Sequence, residues 1–235
     1  MPSDAANART SRLRDFNRTK LYDVLAATPL LVWFALGIWK LAPQTANDAR
    51  TILAAPLHLA TLLDFLSSAA TLVFFTIVIA LVFARRMPVA KSEGLWPRVV
   101  AILGGNLEVA LGTLHPVALP LSLKLVATTL AMVGTGAEII VLIWLGRSYS
   151  IFPEARKLVL QGPYRWIRHP LYLTAAIATL GIAMGYAQPW AALLAVVTFG
   201  FQIGRMHNEE RVLAATFPEY ADYAGRTKRL IPGIY

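Results

Sequence analysis

The chain has 235 residues, of which 57% are hydrophobic and 15% charged, and its mean hydropathy is +0.55. This composition excludes an ordinary soluble domain of this size and indicates an integral membrane protein. The absence of cysteine excludes disulfides, thiolate metal sites and cysteine nucleophiles. The net charge of +9 could suggest nucleic-acid binding, but the basic residues lie between apolar segments and form no continuous basic helix, so membrane topology explains them better.

The first 145 residues are predicted to form a polar arm and a four-helix transmembrane region. Residues 1–20 are rich in arginine and lack an apolar core, which excludes a cleavable signal peptide. Apolar segments then indicate helices, because about 20 apolar residues cross the roughly 30 Å hydrocarbon core of a bilayer. We predict these helices over residues 22–42, 57–84, 99–114 and 119–145, with a polar turn over residues 43–56.

The last 90 residues, from 146 to 235, are predicted to carry the polar chemistry. Residues 158–172, LVLQGPYRWIRHPLY, concentrate glycine, proline, arginine, histidine and aromatic residues between apolar regions. Two shorter apolar segments, 171–186 and 190–204, follow around the connector Ala187-Gln188-Pro189. So short a connector predicts an antiparallel helical hairpin, which would return the chain to the side of the membrane where residues 158–172 lie.

The distribution of basic residues predicts the topology of these six segments. All of the 22 lysines and arginines except Lys40, Arg50 and Lys124 lie on one side when the segments alternate. By the positive-inside rule, both termini and the polar C-terminal region face the cytoplasm. The predicted fold is therefore an all-α integral membrane protein of about six transmembrane helices with a cytosolic C-terminal site.

The motif around His169 has two possible interpretations. Gly162-Pro163 predicts a bend, and Pro170 suits the first position of the next helix, where its missing N–H costs nothing. Free backbone donors at that helix start, together with Arg168 and His169, would favour an anionic group. Alternatively, Arg165 and Arg168 are headgroup anchors and His169 is a helix cap.

The stretch RMHNEERVL, residues 205–213, also allows two interpretations. Arg205 and Glu209 are four positions apart and share one helix face, so they can form an ordinary surface ion pair. The adjacent Glu209 and Glu210 could instead hold hydroxyls, an amine or a sulfonium. His207 and Glu209 lack the spacing of a helical metal site, and no metal is predicted.

Three carboxylic residues lie within apolar sequence, where ionisable groups are costly and are often functional. The alternatives for them are interhelical pairing or a position near a helix end, and nothing links the three into a proton relay. They are Asp64, Glu108 and Glu138.

The order of motifs in the C-terminal region resembles the isoprenylcysteine carboxyl methyltransferase family. The motifs are GPYRWIRHPLYL, a hairpin, NEERVL, FPEYADY and RLIP, within residues 146–232. That family belongs to a wider group of membrane methyltransferases that includes phospholipid N-methyltransferases. Two positions depart from its pattern: Leu171 replaces a small serine-like residue and Thr174 replaces glycine. These departures preserve the cofactor motif and leave open whether prenylcysteine is the acceptor.

The resemblance implies an S-adenosylmethionine-dependent methyltransferase whose cofactor lies between the Arg-His-Pro loop and the paired glutamates. Arg168, His169 and backbone donors after Gly162 suit the cofactor carboxylate, and the glutamates suit its cationic or hydroxyl parts. Tyr164 and Tyr172 can stack or make cation–π contacts. The implied cofactor-binding set is Leu160, Gly162, Tyr164, Arg168, His169, Tyr172, Glu209 and Glu210.

The implied catalytic residues are Arg205 and Glu209. Arg205 would orient the carboxylate of a prenylcysteine-like or other lipophilic acceptor, which enters from the bilayer and needs no strong base. An amine or phenol acceptor would need a base, for which Glu209 and His207 are candidates. Three other classes remain open: a phospholipid or amine N-methyltransferase, an NADPH-dependent reductase related to sterol reductases, and a non-enzymatic membrane protein with the same fold.

Overall fold

The fold is mostly helical in the computed structural model, which describes residues 19–54, 56, 58–107, 110–111, 114–115 and 117–235. Residues 1–18 of the predicted arm, Glu108 and parts of the predicted third helix lie outside these ranges. The described chain forms eight α-helices and one short antiparallel strand pair. They are α1 (Lys20–Ala26), α2 (Thr28–Ala54), α3 (Leu59–Ala84), β1 (Ala90–Lys91), α4 (Trp96–Asn106), α5 (Leu121–Leu145), β2 (Glu154–Ala155), α6 (Pro170–Tyr186), α7 (Pro189–Thr216) and α8 (Tyr220–Arg226).

Two described helices are long and apolar enough to cross a membrane: α3, and α5 together with its last turn, Leu121–Ser148. A third span results if α1 and α2, which meet at a 57° bend, are counted together. The sequence predicted about six spans. By helix length and hydropathy, the described residues contain two or three candidate spans. Among the described helices, α6 has only 17 residues, and polar Gln202 and Arg205 interrupt the apolar part of α7. The predicted third helix lies partly outside the described ranges.

The long helices expose large apolar side chains along their outer faces. On α3, Val73 and Phe83 are 49% and 57% exposed, and on α5 Ile140 and Ile143 are 57% and 66% exposed. Such extensive apolar surface is unfavourable in water and favourable against lipid. The candidate spans and this surface agree with the predicted integral membrane protein.

The predicted turn over residues 43–56 is wrong, because α2 continues through Pro43 to Ala54. A proline removes one backbone donor and often ends a helix. Here the following sequence is rich in good helix formers, including Ala46, Ala49 and Leu53, and the helix resumes after the proline. The predicted helices at residues 57–84 and 119–145 correspond closely to α3 and α5.

The packing of α5 against α6 places the start of α6 beside the end of α5. A Cβ atom built on Gly134 would lie 2.3 Å from the backbone nitrogen of Ala178, and one built on Gly181 would lie 2.3 Å from that of Ala131. Only glycine allows the two backbones to approach this closely. α6 and α7 are joined by Ala187 and Gln188 alone, as the short connector predicted.

A buried ion cluster ties the loop after α5 to the N-terminal helix. Asp23 Oδ1 lies 2.7 Å from Arg156 Nη2, and its Oδ2 lies 2.9 Å from Arg85 Nε. All three side chains are almost fully buried. Nothing in the local sequence around Asp23 indicated this cluster, because its arginines lie 62 and 133 residues away.

Asp64 belongs to an interhelical ion pair, the structural alternative for a carboxylate in apolar sequence. Its Oδ2 lies 2.7 Å from Lys124 Nζ, so the pair joins the N-terminal parts of α3 and α5. Glu138 lies buried on α5.

Candidate cofactor site

A cavity lies where the loop after α5, the start of α6, the middle of α7 and α8 meet. Its walls combine basic, acidic and aromatic side chains with a few aliphatic residues. The lining residues are Leu145, Ser148, Ser150, Glu154, Arg156, Lys157, Leu158, Val159, Tyr164, Arg168, His169, Leu171, Tyr172, Arg205, Glu209, Leu213, Tyr220 and Tyr223. The hairpin of α6 and α7 thus brings together two stretches that are distant in sequence.

His169 occupies the N-cap position of α6, and Pro170 begins the helix as predicted. The imidazole makes no capping hydrogen bond. Its Nε2 instead lies 3.0 Å from Glu210 Oε1, and the side chain is 5% exposed. His169 is therefore the N-cap residue by position, as the helix-cap alternative predicted, but its imidazole does not cap the helix.

Glu210 is the centre of an ion cluster with His169, Arg168 and Arg229. Arg229 donates from Nη2 at 3.0 Å and from Nε at 3.1 Å to Oε2, and Arg168 Nε lies 3.4 Å from Oε1. Burial acts to raise the pKa of Glu210, but hydrogen bonds from His169 and Arg229 outweigh it and lower that pKa to about 2. Glu210 does not line the cavity. It pairs with two side chains that do line the cavity, Arg168 and His169, and its predicted contact with the cofactor stays a prediction.

Glu209 lies on the cavity side of the same turn of α7. It accepts hydrogen bonds from Tyr172 Oη at 2.6 Å and from Arg205 Nε at 3.2 Å. Arg205 also donates from Nη2 to the carbonyl of Ser150 at 3.0 Å, and its guanidinium lies 5.4 Å from the centre of the Tyr172 ring. The Arg205–Glu209 pair is thus fixed by the loop and by α6, which distinguishes it from a mobile surface ion pair.

Gly162 makes the turn that precedes Tyr164. Its φ of +60° is unfavourable for residues with a side chain, and a Cβ at this position would lie 2.3 Å from the Trp144 ring. Gly162 and Leu160 do not line the cavity. Gly162 shapes the loop that carries Tyr164, and the predicted cofactor contacts of Leu160 and Gly162 stay predictions.

The C-terminal tail closes the site by pairing with the Arg-His-Pro loop. The backbone N–H groups of Arg168 and His169 donate to the carbonyls of Lys228 and Arg229 at 2.8 and 2.9 Å. Tyr223 of α8 donates its hydroxyl to the carbonyl of Tyr164 at 2.6 Å. The motifs FPEYADY and RLIP therefore lie next to GPYRWIRHP in space.

Six predicted site residues line the cavity: Tyr164, Arg168, His169, Tyr172, Arg205 and Glu209. Sequence reasoning missed two groups, the loop residues Arg156 and Lys157 and the α8 tyrosines Tyr220 and Tyr223. The tyrosines could have been found from the FPEYADY motif, but the loop residues carry no local signal. His207 does not line the cavity.

The chemistry of the cavity fits a ligand that carries both signs of charge and an aromatic ring. Arg168 and Tyr220 both line the cavity. In the described part of the chain Tyr220 Oη and Arg168 Nε are buried and make no hydrogen bond, although Arg168 Nε is ion-paired with Glu210 at 3.4 Å. Burial raises the pKa of Tyr164 and that of Tyr220, the latter to about 12, so both phenols are neutral near pH 7. The residues that line the cavity thus offer cationic donors, the carboxylate of Glu209 and aromatic faces, which suit S-adenosylmethionine.

Within the described ranges, no group of three or more histidine, aspartate or glutamate side chains is arranged to hold a metal ion.

Comparison with known proteins identifies the type of domain. Residues 117–220 match the family model described as phospholipid methyltransferase, and this range includes α5, α6 and the cavity-lining part of α7. The match supports the wider membrane-methyltransferase resemblance seen in the sequence, without distinguishing the isoprenylcysteine enzymes within it. These residues are therefore similar to phospholipid methyltransferases.

Two curated bacterial proteins are similar to the chain. The cobalt-zinc-cadmium resistance protein CzcN of Cupriavidus metallidurans is 34% identical over 112 residues, which cover 45% of this chain and 49% of that protein. The nickel-cobalt-cadmium resistance protein NccN of Alcaligenes xylosoxydans xylosoxydans is 29% identical over 142 residues, covering 60% and 64%. The matches thus span about half of the first relative and under two thirds of the second.

Proposed function

We propose that the chain is an S-adenosylmethionine-dependent membrane methyltransferase that acts on a lipophilic acceptor, the carboxylate of a prenylcysteine-like or other hydrophobic small molecule. The observation that carries the proposal is the cavity in which Arg168, His169 and Glu209 line one space, within a domain that matches a methyltransferase family. Bound S-adenosylmethionine would supply an electrophilic methyl group: the acceptor would attack the methyl carbon in line while the carbon–sulfur bond breaks and S-adenosylhomocysteine leaves.

Separate residues of the cavity suit the two charged ends of the cofactor. Arg168 and His169 line the cavity and favour its carboxylate. Glu209 favours its ammonium or ribose hydroxyls, while Tyr164, Tyr220 and Tyr223 offer aromatic faces. In this proposal Glu210 orients Arg168 and His169 through its ion pairs with them.

Arg205 is the residue proposed to orient the acceptor. It lies beside Glu209 at the inner end of the cavity, where its guanidinium can pair with a carboxylate. A carboxylate is ionised at neutral pH, so the site needs no strong base. The contribution of the protein is then mainly to position two reactants, which can lower a barrier by several kcal/mol.

A phospholipid or amine N-methyltransferase is the second candidate, and the family match to phospholipid methyltransferases favours it. An amine acceptor must lose a proton on methylation, and Glu209 is the carboxylate on the cavity wall nearest to Arg205 that could accept it.

The proposed topology places both termini and the cofactor cavity on the cytoplasmic side of a multi-pass protein. The cluster of Arg85, Arg156, Arg168 and Arg205 around the loop after α5 supports this orientation by the positive-inside rule. In this proposal residues 21–145 form the transmembrane region through which the acceptor arrives, and residues 146–235 form the cofactor-binding region.

Binding of S-adenosylhomocysteine to the purified full-length chain tests the cofactor assignment. We expect saturable binding by calorimetry, and a loss of roughly 10- to 100-fold for Glu209→Gln and for His169→Ala, because each removes a buried polar partner worth about 1.5–3 kcal/mol. Glu219→Gln, an exposed glutamate of the same tail, is the matched control and should bind normally. Unchanged affinity in both site variants, or stabilisation by NADPH without any by S-adenosylhomocysteine, would contradict the assignment.

A further inference from the structure

Arg156 lines the cofactor cavity, but its hydrogen-bond donors are already used within the protein. Its buried guanidinium carries five N–H groups. Nε donates to Ser150 Oγ at 3.3 Å, and Nη1 donates to the carbonyl of Arg86 and to Asp23 Oδ2, the latter at 3.4 Å. Nη2 donates to Asp23 Oδ1 at 2.7 Å and to Glu154 Oε2 at 2.5 Å. These contacts give Arg156 a role in shaping the cavity wall.

Three side chains of the loop after α5, those of Ser150, Glu154 and Arg156, form a closed set of hydrogen bonds that we call the loop network. Ser150 Oγ accepts from Arg156 and donates to Glu154 Oε2 at 3.0 Å, and the same Glu154 oxygen accepts from Arg156. The backbone of the loop is thereby fixed at Ser150. The carbonyl of Ser150 accepts a hydrogen bond from Arg205 Nη2 at 3.0 Å.

The guanidinium of Arg205, the group proposed to orient the acceptor, is held at two points. Its Nε donates to Glu209 Oε1 at 3.2 Å, and its Nη2 donates to the Ser150 carbonyl. Because a guanidinium is planar, two such bonds determine how it is rotated. A displacement of the Ser150 carbonyl would leave only the bond to Glu209, and a misplacement of about 1 Å can slow a reaction about 100-fold.

Asp23 of α1 holds the loop network from outside the loop. Its two carboxylate oxygens accept from Nη1 and Nη2 of Arg156, and both side chains are almost fully buried. Arg85, at the end of α3, donates to the same carboxylate and to the carbonyl of Asp23. Asp23 is therefore fixed by α3 while it fixes the loop.

We propose that Asp23 is a positioning residue for methyl transfer, which acts through Arg156 and Ser150 on the orientation of Arg205. The inference rests on the methyltransferase function proposed above. Asp23 lies 133 positions before Arg156 in the sequence, so it adds a residue of the N-terminal helix to the machinery of the C-terminal site.

The groups suited to the cofactor have supports of their own. Arg168 and His169 pair with Glu210, and Tyr172 donates to Glu209 at 2.6 Å. These contacts are separate from the loop network. Loss of the Asp23 carboxylate should therefore impair transfer to the acceptor far more than binding of the cofactor.

Two variants that differ only at Asp23 test the proposal. Removal of Asp23 alone would leave two buried guanidinium groups without their shared carboxylate, so the first variant is Arg85→Gln and the second adds Asp23→Asn to it. In vesicles, the first should methylate N-acetyl-S-farnesylcysteine within about threefold of the unmodified full-length protein. The second should have a kcat/KM for this acceptor about 10- to 100-fold below the first, with S-adenosylhomocysteine affinity changed less than about threefold.

Ser150→Ala provides a second route to the same result. It opens the loop network without leaving a buried charge unpaired, and it should lower the same kcat/KM by at least about threefold. S-adenosylhomocysteine affinity should again change by less than the rate.

An Arg205→Lys background distinguishes positioning from a general loss of stability. A lysine ammonium cannot reproduce the two-point contact of the guanidinium, so adding Asp23→Asn to Arg85→Gln there should lower kcat/KM by less than about twofold further. Equal transfer by the two variants, an equally large loss in the lysine background, or an equal loss of S-adenosylhomocysteine affinity would overturn the proposal. Absence of transfer by the unmodified protein would instead overturn the methyl transfer proposed above, and this inference with it.

Discussion

Replacing Glu210 with glutamine is expected to lower the thermal midpoint of the purified protein by roughly 6–12 °C and to abolish measurable S-adenosylhomocysteine binding. The change keeps the shape of the side chain and removes the charge that pairs with His169, Arg168 and Arg229. Breaking a buried ion pair from one side costs about 3–5 kcal/mol, and partial exposure of Arg229 places the effect near the lower end. A chain of this size loses about 2–4 °C per kcal/mol.

The control for this experiment is Glu219→Gln, which removes the same charge from an exposed position. Its thermal midpoint should remain within about 2 °C of the unmodified protein, as is usual for surface substitutions. Glu210→Gln with an unchanged midpoint and normal binding would show that the ion cluster around Glu210 does not hold the cofactor cavity together.

Replacing Gly162 with alanine is expected to reduce S-adenosylhomocysteine affinity by more than about tenfold. A left-handed backbone costs a residue with a side chain about 1–2 kcal/mol, and the new methyl group would also collide with the Trp144 ring. The loop must then shift, and it carries both Tyr164 and His169 into the cavity. Calorimetric titration measures the loss directly.

Gly225→Ala is the appropriate control, because Gly225 lies in α8 and no atom would lie within 4 Å of its new methyl group. It should bind like the unmodified protein. The double variant Gly162→Ala with Trp144→Ala should recover only part of the affinity, since it removes the collision but leaves the unfavourable φ. Normal binding by Gly162→Ala would contradict the role assigned to this turn.

Much of the helical architecture could be predicted from the sequence, because continuous apolar runs are a direct signal. The helices at residues 57–84 and 119–145 and the short connector before Pro189 were predicted nearly as they occur. The predicted turn at residues 43–56 was wrong, because the prediction gave a single proline more weight than the helix-forming residues that follow it. Of the six predicted spans, length and hydropathy support two or three within the described residues, because polar residues interrupt the apolar part of α7 and α6 has only 17 residues.

Residue types could identify the two sequence stretches that contribute to the candidate site. They could not show which residue of each stretch lines the cavity. Adjacent Glu209 and Glu210 look equivalent in sequence, yet the helix turns one toward the cavity and the other toward Arg229. Arg229 and Asp23 act through partners that are distant along the chain, and pairing over such separations leaves no local pattern. The close approach of α4 to α7 at Gly104 and Gln202 is likewise a contact that apolar sequence does not specify.

The most direct test of the account is methyl transfer from radiolabelled S-adenosylmethionine by membranes that contain the chain. We predict that label enters an added lipophilic carboxylate acceptor, N-acetyl-S-farnesylcysteine, as a base-labile methyl ester, and that Arg205→Ala membranes with equal protein content transfer at least about 100-fold less. Label in base-stable form in the phospholipid fraction would instead support the amine acceptor. Absence of label from both fractions, with properly folded protein, would contradict the proposed methyltransferase function.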